Sequence, residues 1–175
     1  KTGGINRKEK TMGFDLSGWS NEECDETYFR SNVWFWRPLW LFVETYCDDI
    51  LTEDQLRRGN YNDLVKIEGA RSLELAKRIH SMIDKGQAKE WVDEYNKDHK
   101  KEKEARDIML QYLQEWTESK GADCGGKLEG YDRELWSEMY NRISSGNKAS
   151  YPGDLDLLKE FADFCKLSDD GFNIG

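Results

Sequence analysis

Long apolar runs are missing from this sequence. The longest, Leu39 to Val43, falls far short of the ~18 residues that a membrane span needs, so no membrane partner is expected. Close cysteine pairs are missing as well. The four cysteines stand singly at 24, 47, 124 and 165, and the only histidines are His80 and His99. Metal sites usually draw on ligand pairs two to four residues apart, so neither a metal nor any other cofactor is expected. Lys1 to Thr11 lacks the apolar core of a secretory signal, and the thiols are therefore expected to stay free and partly buried. Positive charge is in deficit: 35 acidic residues face 26 basic ones, for a net charge of −9. Such a surface repels phosphate backbones, which argues against general nucleic-acid binding. The glycine-rich stretch Gly121 to Gly130 lacks the Lys-Ser/Thr ending of a phosphate-cradling loop and follows no clear strand.

What the chain does have is aromatic mass. Seven Trp, eight Tyr and seven Phe each remove about 150–250 Å² from water when buried. That reconciles a hydrophobic content of 37% with a folded protein rather than a disordered one. A length of 175 residues fits one domain, expected here over 12–175, with 1–11 either an upstream arm or residues foreign to a chain that starts naturally at Met12.

Helical spacing dominates the pattern. Apolar residues at 39, 42, 43, 46, 47 and 50 predict a helix over 37–50, with Pro38 in its first turn, where a missing N–H costs nothing. Thr52-Glu53-Asp54-Gln55 has the form of a capping box and opens a short helix that Gly59 closes. Asn60 to Asp63 is turn chemistry. A helix is expected from Gly69 or Ala70 to Gly86, another from Ala88 to about Ser119, a third over 131–143, and a last one capped by Asp154 and ending near Leu167. The run Asn96 to Arg106 alternates in sign, the mark of a solvated helix face with i,i+4 pairs. A short extended segment is expected at Phe14 to Leu16, and Gly18 to Thr27 reads as a loop. The fold class is mainly α, with five to six helices.

Chemistry concentrates between Asn32 and Trp40. Trp34, Trp36 and Trp40 with Arg37 are the materials of a stacking site for a base or another flat ligand. Asn32, Asn60, Asn62 and Asp63 are placed to add orienting hydrogen bonds, and Arg30, Arg57 and Arg58 to make the pocket locally cationic. The competing reading is that the tryptophans fill the core. Before Pro38, strand-like alternation sends Trp34 and Trp36 to one side and Phe35 to the other. No catalytic constellation stands out: His80 adjoins an apolar helical face and His99 lies in a charged run, with nothing diagnostic flanking either.

Met12-Gly13-Phe14-Asp15-Leu16, followed by Tyr28-Phe29-Arg30-Ser31-Asn32-Val33-Trp34-Phe35-Trp36-Arg37-Pro38-Leu39-Trp40, resembles a group of small uncharacterised proteins carried by bacteriophages and prophages. The likeness extends through Leu51-Thr52-Glu53, Arg58 to Asp63, Phe161 to Cys165 and Gly171-Phe172, about half of the chain; residues 85–153 are not matched. Members of that group often carry paired cysteines in a zinc-finger-like insert. This chain has only Cys124-Gly125-Gly126 there, so no metal carries over. The resemblance implies a phage accessory protein acting in the cytoplasm of a bacterial host, against host defence or another host function. The expected activity is non-enzymatic sequestration of a small nucleotide-like ligand at the Trp/Arg site. Two alternatives stand beside it: an acidic surface, including Glu22, Glu23, Asp25 and Glu26, that mimics nucleic acid or docks on a host protein, and an unrecognised enzyme using His80 or a carboxylate. A homo-oligomer is a common state for small binders.

Overall fold

The computed structural model describes residues 13–19, 26–145 and 151–175. The N-terminal arm, Met12, Cys24 and the acidic residues at 22, 23 and 25 fall outside them. In chain order the elements are β1 (Gly13–Trp19), β2 (Glu26–Asn32), α1 (Val33–Tyr46), α2 (Glu53–Asn60), β3 (Val65–Glu68), α3 (Gly69–Asp84), α4 (Gln87–Ser119), α5 (Gly130–Ser145), α6 (Leu155–Leu167) and β4 (Gly171–Ile174). Helix dominates. The strands, of which only part of β1 is legible as such in the sequence, form one antiparallel sheet in the order β2-β1-β4-β3.

Where chain length suggests one domain, the protein divides into two compact units. One comprises Lys1–Lys89 with Asp154–Gly175, and the other Glu90–Gly153. The first unit is a one-sided sheet backed by helices. Alternation buries Phe14 and Leu16 of β1, Val65 and Ile67 of β3, and Phe172 and Ile174 of β4 on one face, as the two-residue period of a strand requires. Phe29, Phe161, Phe164 and Phe172 interlock there at centroid separations of 5.2–6.5 Å, mostly in tilted or edge-to-face geometry. Helices α3 and α6 are pinned by the buried Ser72 hydroxyl, which donates to the Cys165 carbonyl at 2.7 Å.

Capping explains where the helices begin. The Thr52 side chain accepts from the Gln55 N–H while the Gln55 side chain accepts from the Thr52 N–H, completing the reciprocal box. Asp154 accepts from the N–H groups of Asp156 and Leu157. The start of α1 lies ahead of the expected residue 37. The Asn32 side chain accepts from the Trp34 and Phe35 N–H groups and so starts the helix at Val33. Pro38 then sits in the second turn, where it withholds one helical N–H.

The second unit is a helical hairpin. Trp91, Tyr95 and His99 stack along α4 at 5.1 and 6.2 Å. Asn96 grips the backbone of Gly153 with both ends of its amide, donating to the carbonyl at 3.0 Å and accepting from the N–H at 2.7 Å. Trp136 of α5 lies so close to Gly125 that an added Cβ there would stand 2.2 Å from the indole, which leaves room only for glycine.

Candidate functional site

The helical start at Val33 decides the fate of the three tryptophans. At 100° per residue, Trp34 and Trp36 fall on opposite sides of α1, whereas Trp36 and Trp40 are one turn apart on the same side. Trp36 and Trp40 are accordingly fully buried, and Trp34 is 42% exposed. Phe14, Trp36 and Trp40 form a continuous stack, with centroids 4.7 and 5.0 Å apart and planes within 16° and 19°. Phe161 meets the Trp36 ring edge-on at 5.9 Å. Both indole N–H groups are used inside the protein, Trp36 donating to the Gly59 carbonyl at 3.0 Å and Trp40 to the Leu56 carbonyl at 2.9 Å. The pocket expected at Trp36 and Trp40 is therefore filled by the chain's own side chains. Those rings hold α1 against α2 and leave no face for a ligand.

The other residues of the expected site disperse or take backbone roles. Asn32 is the α1 cap. It also pairs with Gly13 across β1 and β2, and Asn62, in left-handed backbone at φ 55, donates to the Gly13 carbonyl at 3.4 Å. The two asparagines thus meet at the start of β1. Asn60 ends α2, Asp63 is exposed in the turn beyond it with its N–H on the Arg58 carbonyl, and Arg37 is exposed on α1. The expected cationic cluster does not converge. Arg57 and Arg58 pair with Asp54 at 2.7 and 3.6 Å, Arg58 also donates to the Leu64 carbonyl, and Arg30 pairs with Asp15 at 3.5 Å. The hydrogen bond from Arg57 holds the Asp54 carboxyl below its ordinary range.

A surface absent from the sequence reading emerges on the exposed face of the sheet. The strand register sets Tyr28, Ser17, Asn173 and Lys66 in one row across all four strands. Trp19, Gly171 and Glu68 form the next row. On the other side, Arg30 pairs with Asp15, Gly175 donates to the Asp15 carbonyl, and Leu64 packs on Gly175. Ser17, Gly171 and Gly175 floor the two central strands, large residues stand along the outer strands at Tyr28 (59% exposed), Arg30, Lys66 and Leu64 (71% exposed), and Trp19 stands at the end of central strand β1. The Tyr28 hydroxyl donates to the Asp15 carboxylate, and this bond holds the phenol protonated above its ordinary range. Tyr28 and Trp19 are diagonal neighbours, a separation of about 7–8 Å between backbones that long aromatic side chains span. Only the sheet pairing brings these residues together.

The histidine reading has one structural counterpart. His80 Nε2 lies 3.1 Å from Asp163 Oδ1 in a shallow groove between α3 and α6 that Lys77, Asp84 and Lys166 also line. The described residues lining that groove include no Ser, Thr or Cys. Among the described residues no cluster of three or more His, Cys, Asp or Glu is placed to hold a metal, and no helix is long and apolar enough to cross a membrane.

The thiols differ sharply in environment. Burial pushes Cys47 up to about 12 and Cys165 well above its ordinary value, whereas Cys124 is exposed. Since the thiolate is the reacting form, brief maleimide treatment of the native protein at neutral pH is expected to label Cys124 and spare Cys47 and Cys165. Peptide mapping reads the result, and labelling of all three at equal rates would contradict the packing. The same shift makes stability pH-dependent. Above the ordinary value of 9.0 the unfolded Cys47 thiol loses its proton while the folded one keeps it up to about 12, so stability declines as pH rises through that window.

Compared with known proteins, the chain matches no protein-family model, no curated sequence and no solved structure.

Proposed function

We propose that this chain is a non-enzymatic phage accessory protein that binds a host bacterial protein through the exposed face of its sheet. The observation that carries the reading is the composition of that face. Tyr28, Trp19, Arg30 and Leu64 stand exposed around a floor of Ser17, Gly171 and Gly175. Tyrosine, tryptophan and arginine are the residues in which protein-interface binding energy concentrates. An open sheet suits a macromolecular partner better than a small molecule, which is usually engulfed on most sides. The net charge of −9 favours a partner with a basic patch, and association with it weakens as salt rises.

A nucleotide-like ligand remains the second reading, now on this face rather than at Trp36 and Trp40. It is favoured by two exposed aromatics within one ring's reach of each other, with Arg30 and Lys66 on the flanks. Native mass spectrometry of the protein purified from bacterial lysate separates the two readings: a co-purifying host protein supports the first, a small molecule released on mild denaturation the second. The control is Trp19→Ala with Tyr28→Ala, both exposed and expected to leave the fold intact. Truncating an interface hot spot typically costs at least about 2 kcal/mol, or roughly 30-fold in affinity, so either complex should be lost. A complex that survives the double substitution unchanged would remove the sheet face from consideration.

A further inference from the structure

We infer that the helical hairpin is a self-association module: two copies of the chain pair through α4 and α5 to complete a four-helix bundle. The starting observation is a shortage of core. Within Glu90–Gly153, the only buried apolar side chains among the described residues are Val92, Leu113, Ala122 and Leu128. An amphipathic helix must bury its apolar stripe against another element, and two helices have one shared seam where a bundle has several. The surplus is on the surface. Ile108 (55%), Met109 (53%) and Tyr112 (67%) are exposed on α4, as are Tyr131, Met139 and Tyr140 on α5. At about 200 Å² per large side chain, Ile108, Met109 and Tyr112 alone leave on the order of 350 Å² of α4 uncovered, and α5 adds only that part of its surplus lying on the same side of the hairpin, since Tyr131 and Tyr140 fall on opposite sides of their helix.

Charge selects a second copy as the occupant. Over Lys97–Arg106, α4 carries five cations and three anions; over Asp107–Ser119 it carries three anions and no cation. The two halves are complementary to each other, so two α4 helices running antiparallel about a twofold axis set basic against acidic at both ends. Helical spacing puts Lys101, Ile108, Tyr112 and Glu115 on one stripe. With the axis near Ile108, Lys101 of one copy faces Glu115 of the second copy, and the apolar residues lie between. Lys101 is held in place by Asp98 at 2.8 Å and is well exposed, so it is available at the rim of such a contact.

Analytical ultracentrifugation of the whole chain, from 1 to 100 µM, tests the inference, and wild type is expected to sediment with the mass of two chains. Ile108→Asp with Tyr112→Asp should weaken association at least 100-fold, and both side chains are exposed enough for the helix content to be unchanged. Lys101→Glu should weaken association about tenfold, and adding Glu115→Lys should restore it, a rescue that mere damage to the helix would not produce. A wild type that stays monomeric throughout the range overturns the proposal. So does a dimer indifferent to these substitutions, or a swap that fails to rescue.

Discussion

Replacing Trp36 with Ala is expected to remove most of the protein's stability rather than a binding function. The side chain is fully buried, stacked on Phe14 and Trp40, edge-packed by Phe161, and hydrogen-bonded to the Gly59 carbonyl. Truncating a buried tryptophan costs about 3–5 kcal/mol in transfer and cavity terms. The Gly59 carbonyl, left without its donor in the interior, adds about 1–3 kcal/mol. Against a typical total of about 5–15 kcal/mol for a domain, that is enough to leave a large unfolded fraction. Urea denaturation followed by circular dichroism measures the loss. Trp36→Phe keeps the stack but not the N–H and is expected to lie between the two. Trp34→Ala, at the half-exposed position of the same helix, should cost much less than Trp36→Ala. A folded Trp36→Ala protein with wild-type stability would mean that the stack is not the core it is taken to be. Loss at Trp36 together with tolerance at Trp34 would separate two residues that look equivalent in the sequence.

Those two residues also show what was legible in the sequence. The capping box at Thr52, the Asp154 cap and the spans of α3, α4, α5 and α6 follow from local signals that a single helix carries within itself, and the structure has them within a few residues. The misjudged start of α1 had a specific cause. Proline at position 38 is a strong N-terminal signal, but Asn32, six residues earlier, is the side chain that satisfies the free N–H groups. Moving the start turns a two-residue alternation into a 3.6-residue one. Trp34 and Trp36 then part company, and Trp36 joins Trp40.

The strands were harder to read for a different reason. Val65–Glu68 and Gly171–Ile174 have four residues each, too few for alternation to stand out from a loop. Their stability comes from partners far away in sequence: β4 lies between β1 and β3, pairings that no local window contains. The exposed face that carries the proposed partner site is a product of that register. It brings Tyr28, Ser17, Asn173 and Lys66 into line, and no spacing in the sequence hints at it. The charged middle of α4 was legible as a solvated face, but its division into a basic and an acidic half matters only once α4 is seen to be one arm of a helical hairpin.

Gly59→Ala is the second substitution with a large expected effect, and it sets two magnitudes of opposite sign against each other. Gly59 lies in the last turn of α2, at a backbone angle that alanine adopts freely. On helix propensity alone the change should stabilise by about 1 kcal/mol. Packing opposes it. A Cβ at this position would stand 2.2 Å from Trp40 Cζ2 and 2.8 Å from two further atoms of the same ring. The ring has no free direction in which to retreat, because Trp36 stacks on it and its N–H is fixed on the Leu56 carbonyl. Relief requires α2 to move away from α1, which also stretches the bond from Trp36 to the Gly59 carbonyl. Overpacking of this kind typically costs about 1–3 kcal/mol or more, and the loss of the buried hydrogen bond adds about 1–3 kcal/mol. The net expectation is destabilisation by about 2–4 kcal/mol, measured as a lower urea midpoint at an unchanged slope. The cause is tested by adding Trp40→Phe. A smaller ring leaves space for the new methyl, so the second substitution should cost much less in the Gly59→Ala background than in wild type, a coupling of at least about 1 kcal/mol. Strict additivity would show that the two residues do not press on each other, and would leave the glycine at 59 to be explained by something other than the tryptophan above it.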